Sequence, residues 1–169
     1  GDPDTTEVRY LEVIYRKTAR LFEAGAQVAA IVAKAPAPVE AALTRYGKHL
    51  GIAFQLIDDA LDYRGNADEL GKNVGDDLRE GKPTLPLLIA MARGTSAQRE
   101  LIRDAIVGGG AERFDEVIGI VRATGALDAT RQAAQGEIDI AIRSLARLPG
   151  SPEREALLYL CARSLDRSM

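Results

Sequence analysis

The chain has 169 residues, of which 46% are hydrophobic, so we expect a single domain with a sizeable core. Charged residues make up 28% and the net charge is -3, which argues against nucleic acid as a partner. One cysteine excludes an internal disulfide framework, and no apolar run is long enough for a transmembrane segment, so a cytoplasmic protein is expected.

The first predicted element is a long helix that starts near Thr5 and continues to about Lys34. Asp4 and Glu7 have the spacing of a capping box, which indicates the start of the helix. Apolar residues, among them Val8, Ile14 and Leu21, then recur at helical spacing, and the segment APAP at 35–38 ends the helix.

A second long helix is predicted from Val39 to Tyr63, where the segment RGN ends it. Residues 64–83 follow, contain four glycines and form the only long irregular stretch. Long loops inside compact domains are often functional, so this stretch is a candidate part of a site.

Shorter helices are predicted for the rest of the chain. Thr84 and Pro86 mark the start of one helix, and the next starts at GTS (94–96) and ends at GGG (108–110). Two further helices are predicted near 112–123 and 128–147. Ser151 and Pro152 mark the start of the last helix, which ends near Asp166. No strand signal is found, so the predicted fold class is all-α.

The second helix carries three aspartates, Asp58, Asp59 and Asp62, within the apolar segment AFQLIDDALDYRG. At about 100° per residue, Gln55 and the three aspartates fall within an arc of roughly 100°, and apolar residues occupy the remainder. We therefore expect a central helix that is buried on most sides and lines a polar cavity with its acidic stripe.

Three carboxylates within one turn repel one another, and a divalent cation would remove that repulsion. Magnesium suits such a site because it binds one or two carboxylates together with substrate phosphates and water, whereas one histidine and one cysteine argue against zinc. Lys17, Lys72 and Lys82, three of only five lysines, could supply cations for a diphosphate. The alternative at this point is a solvated acidic face paired with arginines, with each lysine an ordinary surface residue.

Three segments resemble the second half of the trans-isoprenyl (polyprenyl) diphosphate synthases: YLEVIYRKTARLFEAGAQV, YGKHLGIAFQLIDDALDY and LGKNVGDDLREGKPTLPLL. The resemblance covers essentially the whole chain. The tail, SPEREALLYLCARSLDRS, resembles the long-chain bacterial octaprenyl, solanesyl and decaprenyl diphosphate synthases, which make the ubiquinone side chain.

The resemblance implies the isoprenoid synthase (terpenoid synthase) fold, with antiparallel helices around a central cavity, and usually a homodimer. Residues 1–169 would form a single domain, the C-terminal portion of the catalytic domain. The implied reaction is the magnesium-dependent head-to-tail condensation of isopentenyl diphosphate with an allylic diphosphate.

The resemblance also implies a role for each motif residue. Asp58 and Asp62 would bind Mg²⁺ that bridges to the allylic diphosphate, with Asp59 nearby. Thr18 and Gln55 would face the allylic carbons, act as catalytic residues with Lys17, and share that region with Phe54. The positions expected to neutralise the leaving diphosphate are Lys17, Lys72 and Lys82.

The first aspartate-rich motif of the family does not occur in this chain, since Asp76 and Asp77 are followed by LREG. We therefore expect a C-terminal portion that is inactive by itself and leaves apolar surface uncovered on its first two helices. The alternatives are a short-chain farnesyl or geranylgeranyl diphosphate synthase, a non-catalytic subunit of a heteromeric prenyl synthase, a terpene cyclase, and a helical interaction domain.

Overall fold

The computed structural model describes residues 1–64 and 75–166, and every regular element within these ranges is helical, which confirms the all-α prediction. The α-helices of the described ranges are α1 Glu7–Ile14, α2 Arg20–Val32, α3 Ala37–Leu61, α4 Asp76–Arg79, α5 Leu85–Arg93, α6 Ser96–Gly108, α7 Phe114–Ala123, α8 Ala126–Ser144 and α9 Pro152–Asp166. A π-helix lies at Tyr15–Ala19, and short 3-10 helices lie at Ala111–Arg113 and Leu145–Arg147.

Side-chain caps fix several helix starts. The Ser151 hydroxyl accepts the Arg154 backbone N–H at 3.2 Å, as predicted for α9. Thr95 and Gln98 form a reciprocal capping box at the start of α6. At α1 the prediction of an Asp4 cap was wrong, because the Thr6 hydroxyl accepts the Arg9 backbone N–H at 3.2 Å.

Both long helices differ in detail from the prediction. The first is interrupted by the π-helix at Tyr15–Ala19, where the Arg20 backbone N–H bonds to the Tyr15 carbonyl five residues earlier. The second ends at Leu61, so Asp62 lies in the turn after α3.

The chain divides into two compact units. The first unit comprises Gly1–Tyr10 and Asp58–Arg131, and the second comprises Leu11–Ile57 and Gln132–Met169. The core of the first unit is built by α5, α6 and α7, whose buried side chains include Leu87, Ile102, Ile106, Val117 and Val121.

Two glycines of α3, Gly47 and Gly51, allow a close approach to the first part of the chain within the second unit. A Cβ at Gly51 would lie 2.6 Å from the Ala19 Cα, and one at Gly47 would lie 2.9 Å from the Ala26 Cβ. Because the two glycines are four residues apart, they lie on one face of α3, and that face packs directly against backbone.

Large apolar side chains remain exposed on α1 and α2, as expected for the first predicted helix, whereas α3, the second predicted helix, has no large apolar side chain among the exposed residues of the described ranges. Val8 is 78% exposed and Leu21 is 76% exposed, although both belong to the apolar pattern that predicted the helix. The buried residues of α1 are instead Tyr10 and Ile14. Among helices in the described ranges, none is both long and apolar enough to cross a membrane.

Replacement of Gly51 by alanine should destabilise the protein by about 1–3 kcal/mol, because the added methyl group has no space beside Ala19. Gly25→Ala on α2 is the matched control, since a Cβ there meets nothing within 4 Å. The control should be neutral or stabilising by up to about 1 kcal/mol, owing to the higher helix propensity of alanine. Urea denaturation measures both, and equal free energies of unfolding for the two variants would contradict this packing.

Tyr10, Tyr46 and Tyr63 provide a prediction for alkaline pH. Burial disfavours the phenolate and raises the pKa of each side chain above the ordinary value of 10.0. Above about pH 10 the unfolded state therefore loses protons that the folded state retains. The stability contributed by these phenols is complete below about pH 10 and falls as the pH rises further.

Tyrosinate absorbance in a pH titration tests this behaviour. We expect the three buried phenols to ionise only as the protein unfolds. Ionisation of all five tyrosines near pH 10 in a protein that keeps its helical circular dichroism would contradict the burial.

Candidate functional site

The acidic stripe of α3 is divided by burial. Gln55 and Asp59 are 5% and 4% exposed, whereas Asp58 and Asp62 are only partly buried. The two adjacent aspartates therefore face different surroundings, Asp59 toward the interior and Asp58 toward the surface.

Asp59 is bonded to a tyrosine of α1. The Tyr10 hydroxyl donates to Asp59 Oδ2 at 2.5 Å, and Tyr10 is itself only 4% exposed. A buried carboxylate requires such a donor, because removal from water without a hydrogen bond is costly.

Asp62 connects the end of α3 to the segment before α4. Its Oδ1 accepts the Gly75 backbone N–H at 3.2 Å, and its Oδ2 accepts the Asp77 backbone N–H at 3.1 Å. Burial, together with the nearby Asp77 carboxylate, raises the pKa of the Asp62 carboxyl above its ordinary value, and the backbone donors partly offset this rise.

Lys82 reaches the same segment from its other end. Its Nζ lies 2.5 Å from Glu80 Oε2 and 2.9 Å from Asp77 Oδ1, and its own backbone N–H donates to the Asp77 carbonyl. These carboxylates, Glu80 first, raise the pKa of the Lys82 ammonium above its ordinary value. Asp62, Asp77 and Lys82 thus form one hydrogen-bonded chain in the first unit.

The second unit brings together Thr18 and Gln55. The Thr18 hydroxyl donates to Gln55 Oε1 at 2.7 Å, and Gly51 lies one turn before Gln55 on α3. The close approach at Gly51 therefore allows two polar side chains 37 residues apart to meet.

The π-helix contains both Lys17 and Thr18. Lys17 is exposed and Thr18 is partly buried, so the two neighbours point to different surroundings. Single π-turns within α-helices occur frequently at functional sites, which supports a role for this pair.

Phe54 packs on Phe22, with their ring centroids 5.5 Å apart. This contact gives the second unit an aromatic surface next to Gln55 along α3.

The predicted site residues fall into three groups. Asp58, Asp59, Asp62 and Lys82 belong to the first unit; Lys17, Thr18, Phe54 and Gln55 belong to the second; and Lys72 lies outside the described residues. Within residues 1–64 and 75–166, no three histidine, cysteine, aspartate or glutamate side chains are grouped closely enough to hold a metal by themselves. The metal-binding role of the three aspartates therefore stays a prediction.

Sequence reasoning missed Tyr10, although a signal was available. Tyr10 and Ile14 are four residues apart, and this i, i+4 pair is the buried face of α1. The apolar pattern, which includes both exposed Val8 and buried Ile14, predicted the helix but did not show that Tyr10 belongs to its buried face.

A family model described as "Polyprenyl synthetase" matches residues 1–122, which is most of the chain. The chain belongs to the polyprenyl synthetase family. This membership confirms the resemblance deduced from the motifs.

Curated relatives agree with this family. The octaprenyl diphosphate synthase of Escherichia coli (strain K12) is 53% identical over 99% of this chain and 52% of its own length. An all-trans-nonaprenyl-diphosphate synthase (geranyl-diphosphate specific) of Rhodobacter capsulatus is 50% identical over 98% of this chain and 50% of its own length. The chain thus spans about half the length of the curated relatives it matches.

Solved structures of family members share the fold. A decaprenyl diphosphate synthase from Rhodobacter capsulatus aligns with a TM-score of 0.91 and 41% identity, over 99% of this chain and 52% of that one. A polyprenyl synthase from Caulobacter crescentus CB15, complexed with calcium and isoprenyl diphosphate, gives a TM-score of 0.92 and 42% identity over the same shares. This polyprenyl synthetase chain therefore has the isoprenoid synthase fold.

Asp62→Ala should loosen the segment at Gly75–Asp77, because the carboxylate accepts two backbone N–H groups there. We expect a loss of about 1 kcal/mol, as for removal of a helix cap, and about tenfold faster hydrogen exchange at those two amides. Asp76→Ala is the control, since Asp76 makes only an exposed ion pair with Arg79. Unchanged exchange in Asp62→Ala would show that Asp62 does not hold the segment.

Proposed function

We propose that this chain is part of a long-chain trans-polyprenyl diphosphate synthase. The enzyme would condense isopentenyl diphosphate with an allylic diphosphate to make a quinone side-chain precursor. The observation that carries the proposal is the chain of contacts from Asp62 through Asp77 to Lys82, beside the Asp58-Asp59 pair. One carboxylate proposed for the metal, Asp62, and one cation proposed for the diphosphate, Lys82, thus belong to one hydrogen-bonded set.

We propose Mg²⁺ as the metal, with Asp58, Asp59 and Asp62 as the residues that would hold it. These carboxylates are suitable metal ligands. Each carboxylate oxygen has two lone pairs, so Asp62 can accept its two backbone hydrogen bonds and still coordinate a cation. Mg²⁺ binds readily to one or two carboxylates when phosphates complete its shell. Bound there, the cation would neutralise charge on the diphosphate, and the calcium in the Caulobacter polyprenyl synthase supports a divalent site.

The lysines are proposed to stabilise the diphosphate as it leaves. Lys17 is exposed and the Lys82 side chain is 43% exposed, so each ammonium group is accessible to solvent and to a charged group from outside. Lys82 is already oriented by Asp77, and preorganised charge is worth more than charge that must be ordered during the reaction. Lys72 is proposed for the same role from its place in the motif.

Thr18, Gln55 and Phe54 are proposed to serve the allylic group. The Thr18 hydroxyl proton is committed to Gln55, so the Thr18 oxygen can present lone pairs to developing positive charge. Phe54 with Phe22 supplies apolar surface that carries no nucleophile, which a carbocation requires.

The remaining parts of the proposal concern the whole protein. We propose that residues 1–169 belong to one catalytic domain as its C-terminal portion, that the enzyme is a cytoplasmic homodimer, and that these residues alone are inactive. Support for the last point is that this chain contains one Asp-Asp-x-x-Asp motif, whereas the chemistry needs acids on both sides of the substrate.

Product analysis tests the function. The intact protein, supplied with isopentenyl diphosphate, farnesyl diphosphate and Mg²⁺, should form an octaprenyl to decaprenyl diphosphate. The identities of 53% and 50% to octaprenyl and nonaprenyl synthases support this length. A geranylgeranyl product would favour the short-chain alternative, and no product at all would favour a non-catalytic subunit.

Asp58→Ala in the intact protein should lower kcat by at least about a hundredfold, since loss of a metal ligand removes several kcal/mol of transition-state stabilisation. Asp104→Ala, at an exposed position of α6, is the control and should keep wild-type activity. Steady-state turnover across a range of Mg²⁺ concentrations is the measurement. Near wild-type turnover for Asp58→Ala would make the metal role untenable.

A further inference from the structure

Tyr10 is a buried polar residue to which neither the family motifs nor the proposed mechanism assigns a role. Its hydroxyl donates to Asp59 Oδ2 at 2.5 Å, and both side chains are 4% exposed. The two residues are 49 positions apart, so the contact depends on tertiary packing.

Asp59 requires this contact more than its neighbour Asp58 does. Asp58 is partly exposed and can be solvated by water, whereas Asp59 is almost completely removed from solvent. A carboxyl group that is buried keeps a fixed orientation only if the protein supplies hydrogen-bond partners. Tyr10 is such a partner, held in place by its own burial.

We propose that Tyr10 is a positioning residue, which fixes the orientation of the Asp59 carboxyl group before a cation and a diphosphate bind beside it. This inference rests on the proposed function, because it assumes that Asp58, Asp59 and Asp62 form a metal-diphosphate site. Hydrogen-bond partners of metal-binding carboxylates orient the ligands, and their loss typically weakens metal binding by about 10–100-fold.

The experiment compares Tyr10→Phe with wild type in the intact protein. Isothermal titration calorimetry with Mg²⁺ and inorganic diphosphate gives the binding constant without any need for turnover. Tyr10→Phe should bind Mg²⁺ with diphosphate at least about tenfold more weakly, because Asp59 loses the hydrogen bond from the Tyr10 hydroxyl.

Tyr46→Phe is the matched control. Tyr46 is 3% exposed and donates to the Leu157 carbonyl at 2.9 Å in the second unit, so its loss also removes a buried tyrosine hydrogen bond. This control should lower the melting temperature but bind Mg²⁺ with diphosphate like wild type. Equal binding by Tyr10→Phe and Tyr46→Phe would overturn the inference and leave Tyr10 a purely structural residue.

A double-mutant cycle shows whether Tyr10 acts through Asp59. If it does, the Tyr10→Phe/Asp59→Asn double variant should bind Mg²⁺ with diphosphate no more weakly than the Asp59→Asn variant alone. Fully additive losses of binding free energy in the double variant would contradict an effect of Tyr10 through Asp59. Absence of any Mg²⁺-diphosphate binding in wild type would instead refute the proposed function, and the inference with it.

A second measurement covers the case in which Tyr10→Phe does not fold. Incorporation of 3-fluorotyrosine leaves the hydroxyl in place, and the resonances of positions 10 and 46 can be assigned from Tyr→Phe variants or site-specific labelling. Addition of Mg²⁺ with diphosphate should shift the ¹⁹F resonance of position 10 and leave that of position 46 unchanged. An unmoved resonance at position 10 in protein that binds the ligands would overturn the inference.

Discussion

Burial of carboxylates at the end of an apolar helix is the constraint on which the first unit depends. Asp59 is nearly sealed from solvent, and it is satisfied by the Tyr10 hydroxyl. Asp62 is satisfied by backbone N–H groups of Gly75 and Asp77. Each carboxylate therefore fixes the position of another segment. Loss of these hydrogen bonds would destabilise the folded state, because a carboxylate shielded from water needs donors from the protein.

The cation of the same network, Lys82, is oriented by two carboxylates but is more exposed than Asp59. Lys82 pairs with Glu80 and Asp77 at a partly exposed position, where ion pairs contribute little net free energy. Under the proposed function, Asp59 and Asp62 would be fixed in place by hydrogen bonds, and the partly exposed Lys82 ammonium would be accessible to the diphosphate.

In the second unit, the main constraint is close helix packing that allows the polar side chains of Thr18 and Gln55 to form a hydrogen bond. Gly51 removes the Cβ that would keep α3 away from Ala19, and Thr18 can then donate to Gln55. The π-helix changes the angular positions of Lys17 and Thr18 relative to a regular helix. The close approach of α3 at Gly51 thus helps to place Thr18, and with it the neighbouring Lys17.

The sequence by itself determined the all-helical class, the helix start at GTS 94–96, the cap at Ser151, the acidic stripe and the family, because these follow from local periodicity, capping chemistry and motifs. It did not determine which face of α1 is buried, the π-helix, or the different burial of Asp58 and Asp59. A helical wheel contains only one helix, whereas the partner of Asp59 is 49 residues away. Only tertiary packing brings Tyr10 to that carboxylate and decides which acid faces inward, since burial is a property of neighbouring elements and not of spacing along one helix.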